Sequence, residues 1–428
     1  MQNAVVLVVD RYSLDVHLAT LTAGVKYPVH YDKGTKNIYY TKEFYSILAD
    51  LANVQLDTLV FFYKRRINEP PEERGFLGEW RATTLPNTSI VAYEDRTNPL
   101  VFGQKQILAS CPFCASPVSR LANETPHCGD CGSDLNNSHI LPLRFLIHQA
   151  HVFSRYLDDN TAYIDVTDHG RLSTLIFRKV YGAGRERSVN PILPEEAVKL
   201  QRLLQRVHQQ QRNAPIPTQI GVSPTNVHGM QGIISIFDYL DFRRQYPLKR
   251  GNQLVSGHLY DMQGELVYET VLEFWIIREL VQHPVALLQT FDIPQSETLE
   301  WFANQILFGI GGEKSDTLIL MRNTEGKRCR AVVIELKKGT IDQEACEQVK
   351  RYAYWIAQLV TANAEASNPF VITPIVIGFR KSQNLQLFSS YHFYIQYQTH
   401  SQRIQVEAPR IYRYEVDTTR NTLHLRRI

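Results

Sequence analysis

The segment Ser315–Trp355 reads SDTLILMRNTEGKRCRAVVIELKKGTIDQEACEQVKRYAYW and holds two carboxylates and an ammonium at spacings that let them share a pocket. Asp316 opens a short apolar run, and a second run, Ala331–Ile334, leads into Glu335 and Lys337 in the pattern E-x-K. Residues two apart on a strand project to one side. Glu335 and Lys337 therefore face together, while Ile334 and Leu336 face away. The Asp316 run is predicted to be the neighbouring strand of a hairpin closed at Thr324–Arg328 (TEGKR), a surface turn that tolerates extra length. Two carboxylates and a lysine around one point would hold Mg²⁺ or Mn²⁺ and position a water, the chemistry that hydrolyses phosphodiesters.

An E-x-K pair alone is common on half-solvated strands, so the elements around it matter. After it, Gln348 and Tyr352 stand at i and i+4 on one face of a helix-patterned segment. Before it, Val271–Gln282 has a helical pattern, carries Glu273 and is stopped by Pro284; a strand-like run, Gln305–Ile310, follows. The order is helix with Glu, strand, strand with Asp, strand with E-x-K, helix with Q-x-x-x-Y. On these motifs residues 255–428 resemble the PD-(D/E)xK nuclease superfamily, and within it NucS/EndoMS-type endonucleases and RecB-like domains with a Q-x-x-x-Y element. The resemblance implies a restriction-endonuclease-like α/β core in which Asp316 and Glu335 bind the metal and Lys337 orients or activates water. It further implies that Gln348 supports the metal shell or the scissile phosphate, that Tyr352 contacts the DNA backbone, and that Glu273 is an auxiliary acid, with Glu269 competing for that role. The family's Pro before the first Asp is absent; Lys314 and Ser315 stand there.

Cys111-Pro-Phe-Cys114 and Cys128-Gly-Asp-Cys131, separated by thirteen residues, have the spacing of a four-cysteine zinc ribbon. Four thiolates close a tetrahedral Zn²⁺ site and leave no open position, so the zinc is expected to be structural. Arg120 is the one Lys or Arg between Cys111 and Cys131, which favours a scaffold over a DNA reader. Cys329 and Cys346, the remaining cysteines, are expected to be packing residues.

Length and composition fit a multidomain α/β protein: 428 residues, 44% hydrophobic and 21% charged. No run of 18 apolar residues is present, so no membrane-spanning helix is expected. The start, MQNAVVLVVDRYSLD, lacks a basic leader region, and cytoplasmic residence with reduced cysteines is expected. Net charge is only +3, so DNA contact would depend on local clusters. Candidates are Lys64, Arg65 and Arg66, Arg185, and Lys350 with Arg351.

The predicted order of modules is a mixed α/β module (1–107), the ribbon (108–137), an α/β module (138–207), a linker and connecting segment (208–252) and the nuclease domain (253–428). Strand-like runs include Val5–Val9, Leu59–Tyr63 and Ser89–Val91, with a helix near Thr41–Asn53. Phe61, Phe62 and Tyr63 beside Lys64–Arg66, with Trp80 nearby, fit either a base-stacking cage or an ordinary core. Leu141–Arg155 reads as an amphipathic helix and Pro194–Gln209 as another. Gly182-Ala-Gly184-Arg185 lacks the spacing and lysine of a P-loop and is faintly similar to PUA- and EVE-like base-reading domains. The Gln-, Pro- and Asn-rich stretch His208–Gly229 reads as a linker and is expected to let a front recognition half and a rear cutting half adjust to the substrate.

The function expected is a Mg²⁺-dependent DNA endonuclease acting in repair, restriction or phage defence on duplex, mismatched, branched or modified DNA. Two staggered nicks would call for a homodimer. The alternatives are a non-catalytic DNA-binding regulator and an RNA-directed nuclease.

Overall fold

The computed structural model describes residues 3–9, 17, 22–25, 29–32, 37–40, 42–64, 75–83, 143–151, 156–164, 172, 189–209, 260–308, 313–417 and 422–428. The described elements form two lobes of mixed α/β structure built around separate sheets.

The first lobe contains β1 (Ala4–Val9), β2 (Thr22–Val25), β3 (Val29–Asp32), β4 (Asn37–Tyr40), α1 (Lys42–Ala52), β5 (Leu59–Lys64), β6 (Gly75–Ala82), β7 (Leu143–His151), α2 (Asp159–Ile164), β8 (Val189–Ile192) and α3 (Pro194–Gln209). Its sheet runs β2-β7-β6-β5-β1-β8, with β3 and β4 a separate hairpin. The unbroken apolar runs AVVLVV and LVFFYK sit side by side as parallel strands, as expected where both faces of a sheet are covered. Val5, Leu7, Val60 and Phe62 face one apolar cluster, and Val6, Leu59, Phe61 and Tyr63 face another.

Two expectations are corrected here. Leu141–Arg155 is not a helix: Leu143–His151 is a strand paired with β2 and β6. Phe145 and Ile147 are buried and His148 beside them is exposed, so the two-residue period prevails over the helical one. The modules 1–107 and 138–207 are not separate, because β7 and β8 complete the sheet begun by β1, β5 and β6. Of the two readings of Phe61, Phe62, Tyr63 and Trp80, the ordinary core holds: all are buried, with Phe62 edge-on to Trp80 at 4.9 Å. Ser89–Val91, the zinc-ribbon span 108–137, the glycine-arginine turn 182–187 and the stretch 210–252 lie outside the described residues.

The second lobe contains α4 (Glu269–Gln282), α5 (Pro284–Thr290), β9 (Thr298–Phe308), β10 (Glu313–Arg322), β11 (Arg328–Leu336), β12 (Thr340–Ile341), α6 (Gln343–Thr361), β13 (Ala366–Gly378), β14 (Arg380–Lys381), β15 (Tyr391–Gln396), β16 (Ser401–Val406), β17 (Arg410–Asp417) and β18 (Thr422–Arg427). Its sheet runs β15-β16-β13-β11-β10-β9, and β17 also pairs with β13 and carries β18. β9, β10 and β11 form an antiparallel meander. The chain then crosses through α6 to place β13 parallel to β11, the connection a parallel pair requires. Asp342 caps α6, accepting a hydrogen bond from the Ala345 amide at 3.0 Å. Pro284 ends α4 and opens α5, where its missing N–H costs nothing.

The lobes are joined through their interiors. α1 packs on α4, and one apolar cluster contains Tyr45, Leu48 and Leu51 together with Leu272, Ile276 and Leu280. Trp301 donates its indole N–H to the Ile192 carbonyl at 2.8 Å. Arg328, 1% exposed, reaches Glu195 of α3 at 2.9 Å and Glu300 of β9 at 2.8 Å. The expectation of two halves adjusting freely about a linker is thereby corrected for the described residues: a continuous core cannot hinge without opening.

Candidate active site

β10 and β11 pair with Thr317 opposite Ile334, and one step further along the ladder sets Asp316 across from Glu335. Alternation gives both acids the face of Leu318, Leu320, Ala331 and Val333, which pack with Ala353 and Ile356 of α6. Asp316 and Glu335 are each 5% exposed. The Asp316 carboxylate accepts from the Leu336 amide at 2.8 Å through Oδ2 and from Gln305 Nε2 at 3.0 Å through Oδ1. Lys337 Nζ donates to Glu335 Oε1 at 2.7 Å and to Gln348 Oε1 at 3.0 Å. The sheet and α6 thus bring Asp316, Glu335, Lys337 and Gln348 to one place.

α4 adds two more acids. Glu273 is 1% exposed and accepts from Asn304 Nδ2 at 2.5 Å and Gln305 Nε2 at 3.0 Å. Glu269, one turn earlier, accepts from the Lys338 amide at 3.3 Å. The sequence set these glutamates in competition for one role; the structure places both close enough to act on Asp316. Tyr414 of β17 steadies the segment after E-x-K, its hydroxyl donating to the Lys338 carbonyl and accepting from the Leu266 amide.

Sequence reasoning missed Gln305, Asn304, Asp50 and Asn53. The neighbouring pairs Ser315–Ile306 and Thr317–Asn304 put Gln305 across from Asp316. Its amide bridges Asp316 and Glu273 from a backbone with φ of 53°, a left-handed conformation costly for a residue with a side chain. Asn304 joins Glu273 to the first lobe, donating to Asp50 at 2.9 Å and accepting from Asn53 at 3.0 Å. The available signal was the polar pair Asn-Gln inside the otherwise apolar strand run WFANQILF.

Burial pushes the Asp316 carboxyl well above the usual range, and the negative charges of Glu335, Glu269 and Glu273 push it further, against the Leu336 amide that favours ionisation. Burial also raises Glu335, though Lys337 opposes it. Glu269 is raised by burial with Lys337 again opposing. For Lys337, burial favours loss of the proton, but Glu335, Glu269 and Asp316 outweigh it and hold the group as a cation. The pocket therefore gathers more carboxyl groups than half-buried Lys337, helped by Lys314, can offset.

This charge balance tests the fit of a divalent cation. Glu335 Oε2 is buried with no hydrogen-bond partner among the described residues, a costly state for a carboxylate oxygen. Among the described residues no group of three or more His, Cys, Asp or Glu side chains stands ready to hold an ion. Mg²⁺ is commonly held by one or two carboxylates and otherwise by water or phosphate oxygens. The pair Asp316 and Glu335, with an unpartnered oxygen, fits that demand.

Other predicted residues fall elsewhere. Tyr352 is 3% exposed and packed in the apolar cluster beneath α6, so it faces the core and not a DNA backbone. Lys64 is 5% exposed, with its ammonium 5.3 Å from the centre of the Tyr156 ring; that burial removes it from the DNA-contacting set. Lys350 and Arg351 are exposed on α6. Cys329 and Cys346 are buried free thiols, raised by burial to about 12 and about 11, which suits packing and not reactivity. Arg65, Arg66, Arg185, Cys111, Cys114, Cys128 and Cys131 lie outside the described residues. No described helix is long and apolar enough to cross a membrane.

No family model and no curated protein matches this chain. Among solved structures, a protein from Pseudomonas putida is similar at 17% identity, over 47% of this chain and 98% of that one, with a TM-score of 0.25. A Pseudomonas syringae protein is similar at 15% identity, over 47% and 98%, with a TM-score of 0.24. The human THYN1 protein, solved in complex with DNA containing 5-methylcytosine, is similar at 12% identity, over 47% and 97%, with a TM-score of 0.23. Likeness at these scores assigns neither a fold nor a partner.

Proposed function

We propose that this chain is a divalent-metal-dependent nuclease that hydrolyses DNA phosphodiester bonds in a restriction-endonuclease-like second lobe, with the first lobe selecting the target. The observation that carries the proposal is the facing of Asp316 and Glu335 at one end of the sheet, beside Lys337, with the Glu335 Oε2 oxygen buried and unpartnered among the described residues.

Asp316 and Glu335 are the residues that would hold Mg²⁺ or Mn²⁺. When bound, the ion screens charge on the phosphate and acidifies a water molecule. Lys337, a compact cation with three mobile donors, is aimed by Gln348 to neutralise a phosphate oxygen or orient the attacking water. Gln305 and the Leu336 amide fix the rotamer of Asp316. Glu269 and Glu273 deepen the negative field that favours a cation. The expected products carry 5′-phosphate and 3′-hydroxyl ends. A four-cysteine zinc ribbon at Cys111, Cys114, Cys128 and Cys131 belongs to the same proposal; stoichiometric zinc, lost on Cys111→Ser with Cys114→Ser, is the supporting result.

The test is incubation with plasmid, mismatched, branched and modified DNA and with RNA, in Mg²⁺ or EDTA, beside Lys337→Ala. Metal-dependent DNA cleavage abolished in the variant supports the proposal. Equal DNA binding by both proteins with no cleavage anywhere would overturn it in favour of a regulator, and cleavage confined to RNA would shift the substrate.

A further inference from the structure

α6 leads away from the acid cluster along a distinct surface. Gln348, Arg351 and Trp355 stand at i, i+3 and i+7, so they form one stripe on the helix. Gln348 holds Lys337, Arg351 is exposed, and Trp355 is 40% exposed. Seven residues of helix cover about 10 Å, so the stripe starts at the catalytic lysine and ends at an indole.

At that indole begins a run of touching rings. Trp355 meets Tyr354 at 6.1 Å, Tyr354 meets Phe393 of β15 at 5.4 Å, Phe393 meets Tyr391 at 6.3 Å, and Tyr391 meets Phe388 at 6.0 Å. The Lys350 ammonium stands 5.6 Å from the Phe388 ring centre. Tyr354 is 46% exposed. Core packing accounts for the inner edges of Tyr391 and Phe393 but not for half-exposed Tyr354 and Trp355. Glu347, near Tyr391, is the acid beside this run, while Lys350 and Arg351 are the adjoining cations.

We propose that this surface is a stacking platform for a single DNA strand with unpaired bases, which it guides toward the Asp316–Glu335–Lys337 site. The inference rests on the nuclease proposal for its direction. Charge complementarity and chemistry select the occupant: unpaired bases have π-faces that stack on aromatic rings irrespective of sequence, and Lys or Arg beside them meets the phosphates. A fully stacked duplex offers the rings no base faces. The substrate class implied is DNA with a flap, gap, bubble or frayed end.

The experiment measures binding of fluorescently labelled oligo(dT) and of a blunt duplex of equal length, in EDTA, for wild type, Tyr354→Ala/Trp355→Ala and Tyr354→Phe/Trp355→Phe. The expected result is a loss of oligo(dT) affinity of about tenfold or more in the alanine variant, little change for duplex, and retention in the phenylalanine variant. Equal losses for duplex and oligo(dT), no loss for either, or tighter binding of oligo(rU) than oligo(dT) would overturn the platform. A fall in sedimentation mass of the alanine variant would also overturn it, assigning the surface to a second copy of the chain. Binding is read without cleavage, so the two proposals fail separately. Selective loss of oligo(dT) without cleavage by wild type in Mg²⁺ retains the platform and removes the nuclease; Mg²⁺-dependent cleavage with unchanged oligo(dT) binding does the reverse.

Discussion

Gln305 and Asp316 face one another across the β9–β10 ladder, and the glutamine amide that holds Asp316 at 3.0 Å holds Glu273 at the same distance. One N–H₂ group therefore sets the positions of two acids that would otherwise repel. It does so from a backbone with φ of 53°, where a side chain costs about 1–2 kcal/mol. Gln305→Ala keeps that strain and loses the bridge; Gln305→Gly loses both. Urea denaturation is expected to find the glycine variant more stable than the alanine variant by about 1 kcal/mol, with both impaired in cleavage. An alanine variant as stable as the glycine variant would show that the conformation is unstrained.

The raised carboxyl of Asp316 makes a pH prediction with a definite sign. Between its ordinary and its folded pKa, the folded state binds more protons than the unfolded state, so this group's contribution to stability falls as pH rises. At neutral pH without metal, Asp316→Asn is expected to raise the melting temperature relative to wild type, and the difference should shrink in acid. Mg²⁺ is expected to stabilise wild type, increasingly with pH, because it binds the ionised acids. Thermal melts with and without Mg²⁺ across pH check both; a lower melting temperature for Asp316→Asn would contradict the account of excess charge.

Gln348 and Tyr352 lie one turn apart and are expected to behave differently. Gln348 touches Lys337, so Gln348→Ala should reduce cleavage while leaving stability nearly unchanged. Tyr352 is packed inside, so Tyr352→Ala should cost about 3–5 kcal/mol, the range for a core aromatic cut to alanine. Parallel measurement of melting and cleavage rate separates the two.

Arg328 is a buried cation shared between the lobes, bonded to Glu195, to Glu300 and to the Val360 carbonyl. Arg328→Ala takes a buried cation from half-buried Glu195 and from buried Glu300, which keeps Arg322, and is expected to cost about 3 kcal/mol. Arg328→Lys should not restore it, because a single ammonium cannot reproduce the bidentate fork. Chemical denaturation of both variants is the measurement.

The grouping of Asp316, Glu335, Lys337 and Gln348 was legible from sequence because strand and helix periods are local. E-x-K after an apolar run and Asp316 before another fixed a shared face, and Q-x-x-x-Y fixed a helix. What stayed hidden depends on distant parts of the chain. Asp50 and Asn53 meet Asn304 only because α1 packs on α4. No pattern announces that Gln305 adopts a positive φ. The apolar residues of Leu143–His151 satisfy either period over so short a length, and the sheet edge left for the run by β6 and β2 decided the matter. The burial of Tyr352 and Lys64 likewise depends on what packs above them, which their own spacing does not contain.

Tyr414 of β17 clasps Lys338, in the segment after Lys337, from 76 residues further along the chain. On a ribosome, which delivers residues in order, the acids emerge well before the phenol that secures their loop. Competence then waits on the synthesis of β17. A protein truncated upstream of β17 would carry every charged group of the pocket and yet lack the latch that sets them, so prematurely terminated copies are expected to be inert.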